Sequence, residues 1–210
     1  MRLDEKYRPK AFDEVLGQEK ACRVVSKMIE NGIGGRALWI SGKSGQGKSS
    51  IARIVAAKVA DPADVIEVVG REVTPSMLAE LRLRWMYCPL KEDHVWIVNE
   101  SHGLCKPVIE KLLDMLERLP SKVVVIFTTT KDGLSLFEDQ PDSSPFGSRC
   151  YKIALAERGL APLFAIRLKA IAMTEGLDGK PERAYLDLVN KTNANFRECL
   201  LEIEAGRMIG

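Results

Sequence analysis

Residues 42–49 read GKSGQGKS, that is Gly42, Lys43, Ser44, Gly45, Gln46, Gly47, Lys48 and Ser49. A glycine, four residues, then Gly-Lys-Ser is the spacing of a loop that cradles a polyphosphate. Its glycines let the backbone turn tightly with N–H groups aimed inward. Lys48 is long enough to reach the outer phosphates, and Ser49 offers a hydroxyl to Mg²⁺. The flanks agree: residues 37–40 (ALWI) are a short apolar run, and residues 50–60, starting at Ser50, are an alanine-rich helical stretch. Strand, loop and helix in that order put the phosphates at a helix N-terminus, where N–H groups without intrahelical partners and the helix dipole favour anions. Residues 42–50 are therefore the candidate phosphate site, with Ser49 also a candidate metal ligand.

Outward from this loop, apolar strands alternate with helical stripes. Upstream, residues 18–30 carry Ala21, Val24, Val25 and Met28 at helical spacing and end at Asn31-Gly32, a C-cap pair. The segment before them is charged and turn-rich, and Pro9 opens an extended stretch. Downstream, residues 65–69 predict a second strand, and Thr74-Pro75 starts a helix expected to run to about Tyr87. Residues 94–98 (HVWIV) and 123–127 (VVVIF) are near-continuous apolar runs, as parallel strands covered on both faces require. Between them residues 107–119 form an amphipathic helix. The fold class that follows is α/β, a parallel sheet covered by helices.

After Lys131 the character changes. Residues 132–148 hold prolines, glycines and many polar side chains and predict a loop, followed by a short strand at 150–153. Three helices are expected beyond, over 161–175, 181–191 and 195–208. The division that results is a nucleotide-binding domain over 1–153 and a small three-helix lid over 154–210.

Composition adds exclusions. With 31 basic and 29 acidic residues the formal net charge is +2, so any nucleic-acid contact rests on a local patch. The five cysteines lack CxxC spacing, which points to buried thiols rather than a zinc site or a disulfide framework. No signal peptide and no membrane-spanning run is legible, so a soluble intracellular protein, cytoplasmic or nucleoid-associated, is expected. Trp39, Trp85 and Trp96 read as core, and His94 and His102 have no partner at metal-ligand spacing.

The strand over 95–98 ends in Asn99-Glu100. In phosphate-loop ATPases a later strand usually ends in an acidic pair, one carboxylate supporting Mg²⁺ and the other polarising the attacking water. Glu100 is placed to be that base. Asn99 stands where aspartate is usual; it offers an oxygen but no charge, so weaker metal affinity is expected rather than a dead site. The strand over 123–127 runs into Thr128-Thr129-Thr130, whose hydroxyls sit at the carboxyl end of a strand near the phosphate crevice.

Together these residues resemble a clamp-loader subunit of the AAA+ ATPases, of the replication factor C small-subunit or bacterial DNA polymerase III gamma/tau type. GKSGQGKS is similar to Walker A, VWIVNES to Walker B apart from Asn99, and IFTTT to the sensor-1 segment. The opening EKYRPKAFDEVLGQ resembles the stretch whose backbone wraps adenine in that family, which implies base contacts from Tyr7, Arg8, Pro9, Val15 and Leu16. By the same resemblance Thr130, or Thr129, is the γ-phosphate sensor. Ser148-Arg149-Cys150 resembles the family's Ser-Arg-Cys, implying that Arg149 reaches a neighbouring subunit's ATP. Arg197, at the start of the last helix, matches a lid arginine that contacts phosphates, although relatives often have Gly-Asp where this chain has Ala194-Asn195.

The resemblance implies ATP and Mg²⁺ as ligands, other AAA+ subunits as partners, and a sliding clamp with primer-template DNA as the object of assembly. Lys106, Lys111, Arg82 and Arg84 are weak candidates for DNA phosphate contact. The zinc module of the bacterial subunits is missing between Ala60 and Pro89. The family's collar domain does not follow Gly210, so a fragment or a collarless relative is expected. Two alternatives to an active clamp-loader ATPase stand beside it: a nucleotide-gated scaffold that hydrolyses weakly, and a remodeller or helicase loader that acts on no clamp.

Overall fold

A computed structural model describes residues 2–130 and 148–210. Five strands, β1 (Arg36–Ser41), β2 (Val65–Val69), β3 (His94–Asn99), β4 (Val123–Thr129) and β5 (Cys150–Ala154), form one sheet in the order β2-β3-β4-β1-β5. Every pairing is parallel. Ser41 lies opposite Thr129 and Val98 opposite Phe127, so β1, β3 and β4 finish along one edge of the sheet. The loops after these three strands leave from that edge, the usual place for a ligand crevice in such sheets.

Alternation along each strand supplies two cores. Leu38 and Ile40 of β1 face one layer, where α2 (Glu19–Glu30) and α3 (Lys48–Val59) contribute Val25, Ile51 and Val55. Ala37 and Trp39 face the other, with Leu78 and Leu81 of α4 (Pro75–Arg84) and Val108 and Leu112 of α5 (Lys106–Glu117). Trp39, Phe127, Trp96 and Trp85 run through this second layer as a chain of tilted and edge-on rings with centroids 5.6 to 6.5 Å apart. All three tryptophans are core, as the sequence indicates, and truncating one to alanine costs roughly 3–5 kcal/mol. His94 is buried too, 2.9 Å from Asp64 and 3.0 Å from the Tyr87 carbonyl, a packing role.

A third core joins α6 (Leu160–Thr174), α7 (Glu182–Lys191) and α8 (Phe196–Glu204) through Leu168, Tyr185, Val189, Cys199 and Ile203. Leu3 of the short α1 (Leu3–Lys6) is buried in it, and Tyr7 and Leu16 pack against it. The N-terminal segment thus bridges the sheet layers and the helical unit.

Two helices end three or more residues short of the sequence reading. The fourth helix ends at Arg84, not near Tyr87, because Trp85 turns back onto Trp96 and Pro89 forbids continuation. The last helix ends at Glu204 rather than 208. Gly206 adopts φ +79°, its N–H bonds the Ile203 carbonyl, and the Arg207 N–H bonds Glu202, a Schellman termination. The loop expected over 132–148 lies outside the described residues except at its end, where Ser148 is helical. Among the described residues no helix is long and apolar enough to cross a membrane.

A candidate nucleotide cleft

Gly47, at φ +99°, caps α3, and the first intrahelical bond runs from Ile51 N–H to the Gly47 carbonyl, 2.9 Å. The N–H groups of Lys48, Ser49 and Ser50 precede that bond and lack a partner within the helix. These three residues line a cleft together with Ser44, Gly45, Gln46 and Gly47. Buried Gln46 accepts the Lys43 N–H at 3.1 Å and ties the loop to itself. A Cβ on Gly42 would come within 2.9 Å of the Leu155 side chain, so the loop's entry also depends on glycine.

The Lys48 ammonium is buried and donates to the Gly42 and Lys43 carbonyls, 2.8 Å each. Burial pushes its pKa below the ordinary lysine value; the Glu100 charge opposes that shift and Arg197 adds to it. A buried cation whose hydrogen bonds go to two carbonyls gains from an incoming anion. Loop, helix end and lysine together fit a polyphosphate.

Asn99 is tied to the cleft residue Ser49 and is not itself among the lining residues. Its Oδ1 accepts from Ser49 Oγ at 2.8 Å and from Thr128 Oγ1 at 2.9 Å, while its Nδ2 donates to Glu67 Oε1 at 2.6 Å. Arg53 Nε holds the same Glu67 carboxylate at 2.8 and 3.1 Å. Among the described residues no cluster of three acidic, histidine or cysteine side chains makes a cation site alone. Ser49 and Asn99 offer neutral oxygens only, a donor set that fits Mg²⁺ arriving with a triphosphate that brings its own anionic oxygens.

Glu100 lines the cleft beside Lys48 and Ser49. Its backbone is left-handed, φ +51°, a conformation costing a non-glycine residue about 1–2 kcal/mol. The turn is over-determined: Ser101 Oγ donates to the Val98 and Thr128 carbonyls at 3.0 and 3.1 Å, and the Gly103 N–H bonds the Glu100 carbonyl. Gly70 makes room for it, since a Cβ there would lie 2.6 Å from that carbonyl. The Glu100 carboxylate is half exposed and 3.5 Å from His102 Nδ1.

The remaining walls come from both ends of the chain. Tyr7, Arg8, Pro9, Val15 and Leu16 all line the cleft, together with Phe164 and Arg167 of α6 and Phe196, Arg197 and Leu200 of α8. The Tyr7 hydroxyl donates to Glu175, which Lys6 also grips at 2.6 Å, and the Arg167 guanidinium stands 6.0 Å over the Tyr7 ring. Arg8 pairs with Glu5 at 2.6 Å. Arg197, half exposed, faces Asp4 at 3.8 Å.

Two residues named from the sequence lie elsewhere. Arg149 sits immediately before β5 and pairs with Glu117 at the end of α5, holding that carboxyl below its ordinary range; it is not among the residues lining this cleft. Thr130 follows β4, half-buried, and the hydroxyl that reaches the Asn99 group belongs to Thr128. Lys106 and Lys111 are exposed on α5, Arg82 faces Asp114 at 3.7 Å, and Arg84 donates to the Ala63 carbonyl. Sequence reasoning missed Glu67, Ser101, Asp4, Phe164 and Arg167. Ser101 lies within the Walker B-like stretch VWIVNES but is not singled out by it; the other four belong to no motif, and only strand pairing and the packing of the helical unit reveal them.

Residues 1–80 match the family model for the TIP49 P-loop domain. The DNA polymerase III subunit gamma/tau of Mycobacterium tuberculosis strain H37Rv is 32% identical over 157 residues, covering 62% of this chain and 27% of that protein. The DNA polymerase III subunit gamma of Buchnera aphidicola from Acyrthosiphon pisum is 28% identical over 152 residues, 61% of this chain and 42% of that protein. The chain thus spans less than half the length of either relative. The Thermotoga maritima RuvB Holliday junction branch migration motor superposes with a TM-score of 0.70 at 20% identity, over 94% of this chain and 64% of that one. The chain has the AAA+ P-loop ATPase fold, which implies nucleotide binding, and it is homologous to DNA polymerase III gamma/tau subunits.

Proposed function

We propose that this chain is an ATP-binding and ATP-hydrolysing AAA+ subunit of clamp-loader type, coupling Mg²⁺-dependent hydrolysis to assembly of a sliding clamp on primer-template DNA. One observation carries the reading: Lys48, Ser49 and Glu100 line a single cleft together with Tyr7–Pro9 and Arg197. The homology to gamma/tau subunits supports the clamp-loader assignment.

In this reading the loop N–H groups and Lys48 grip the β- and γ-phosphates, and the Tyr7–Leu16 segment holds the base. Mg²⁺, when bound, would supply charge neutralisation for the triphosphate. Ser49 and Asn99 would hold it, and Glu100 would accept a proton from the attacking water. Arg197 draws the lid onto the phosphates. Thr130 senses the γ-phosphate. Arg149 is offered to the next subunit's ATP, where a guanidinium is worth about 10³–10⁵ in rate. Residues 1–153 bind nucleotide and residues 154–210 form the lid.

A second reading, a nucleotide-gated scaffold with weak turnover of its own, is favoured by Asn99, which removes a charge from the metal site. Turnover measured for the chain alone and in a reconstituted complex separates the two. Loss of turnover in Glu100→Gln supports the enzyme; an unchanged rate in both assays supports the scaffold.

A further inference from the structure

We propose that Glu67 is a positioning residue of the nucleotide–metal site, holding the neutral Asn99 amide with its oxygen toward Ser49. The inference rests on the nucleotide-site reading above and assigns a role to a residue outside every phosphate-binding motif.

The sheet brings the pair together. Val69 of β2 lies opposite Asn99 of β3, so Glu67, two residues earlier, shares the face of Asn99 and is its diagonal neighbour. The helix supplies the other side: Ser49 and Arg53 are one turn apart on α3 and point the same way. Three links then join four side chains in a row, with Ser49 donating to Asn99, Asn99 to Glu67, and Arg53 to Glu67, and α3 carries both ends of the row.

Donor chemistry allows one orientation. A carboxylate only accepts, so the Asn99 atom facing Glu67 is the amide nitrogen, 2.6 Å away. Hydroxyls donate or accept, so Ser49 and Thr128 adapt to whichever atom remains, and that atom is Oδ1. Rotating the amide by half a turn would set its oxygen against the carboxylate. Glu67 therefore decides that position 99 presents an oxygen where Mg²⁺ is expected, without a charge at that position. The converse follows. An aspartate at position 99 would place one carboxylate against another, so Asn99 and Glu67 are matched to each other.

The test compares Glu67→Ala, Glu67→Gln, Asn99→Asp and the double variant Glu67→Gln/Asn99→Asp. Binding of a fluorescent ATP analogue is measured against free Mg²⁺ and in EDTA, alongside thermal melts without ligand. Glu67→Ala is expected to raise the Mg²⁺ midpoint about tenfold, the scale of outer-shell losses at metal sites, with binding in EDTA unchanged. Glu67→Gln keeps an acceptor oxygen and restores a midpoint near that of the unmodified protein. Asn99→Asp weakens the Mg²⁺ dependence beside Glu67 and strengthens it beside Gln, whose amide donates to the new carboxylate. The inference is overturned if Asn99→Asp shifts the midpoint in the same direction in both backgrounds. It is also overturned if Glu67→Ala lowers the melt but leaves the midpoint in place, which would make Glu67 a strut. An unmodified protein that binds no analogue with Mg²⁺ sinks the nucleotide-site reading and this inference with it; melts alone would not show that result.

Discussion

The Oδ1 atom of Asn195, which caps α8 by accepting the Glu198 N–H at 3.3 Å, occupies space that a Cβ on Gly45 would need. The helical unit and the loop over residues 42–49 therefore meet at a glycine and a cap. Gly45 is also left-handed, at φ +72°. Gly45→Ala is expected to push α8 outward, lowering ATP affinity more than tenfold while the sheet domain stays folded. Nucleotide titration and circular dichroism together check this; an alanine variant that binds ATP as well as the parent contradicts it.

The turn that delivers Asn195 is strained. Asn193 and Ala194 have φ of +51° and +58°, and neither is glycine. Asparagine tolerates that region, but alanine has no side-chain compensation there. Ala194→Gly is expected to stabilise the protein by about 1 kcal/mol despite the greater freedom of glycine in the unfolded chain. Chemical denaturation with an unchanged slope is the measurement.

The thiols divide by burial. Cys22 is pushed up to about 11 and Cys150 to about 12, chiefly by burial, and Cys199 is raised for the same reason. Cys88 and Cys105 are exposed and all five are free. Alkylation of the native protein near neutral pH is expected to label Cys88 and Cys105 rapidly, with the other three reacting only after denaturation. Mass spectrometry of the labelled peptides reads the outcome. Rapid labelling of Cys150 would contradict its buried place opposite Ala37.

Lys48 makes ATP binding depend on pH in a stated direction. Burial lowers its pKa, so a neutral fraction appears at lower pH than for an exposed lysine. Phosphates favour the charged form and raise the pKa again, so binding takes up protons as pH climbs into the alkaline range. Affinity is expected to decline with rising pH before ordinary lysines titrate. Calorimetry in buffers of different ionisation enthalpy measures the uptake; no uptake through that range contradicts the assignment.

How much of this was legible beforehand follows from where the information lies. The strand–loop–helix around Gly42 to Ser49 and the apolar runs at β3 and β4 carry their own periodicity, so sheet class and phosphate loop were readable. Helix ends were less so, because Trp85 and Gly206 act through tertiary packing and a cap whose geometry depends on its neighbours. Of the site, Lys48, Ser49, Asn99 and Glu100 were readable from motif position, and the wall from Tyr7 to Leu16 only through resemblance. Glu67 was not, since its role exists only once β2 pairs with β3. Three consecutive threonines do not declare which hydroxyl meets Asn99; in the structure it is that of Thr128.

The central claim is that the loop from Gly42 to Ser49 holds a triphosphate through Lys48. Thermal unfolding with and without MgATP, on the unmodified chain and on Lys48→Ala, tests it most directly. Saturating MgATP at about a hundred times its dissociation constant should stabilise the unmodified protein by about 2.7 kcal/mol and leave Lys48→Ala unmoved. A melt that ignores MgATP in the unmodified protein, or shifts equally in both proteins, would contradict the account.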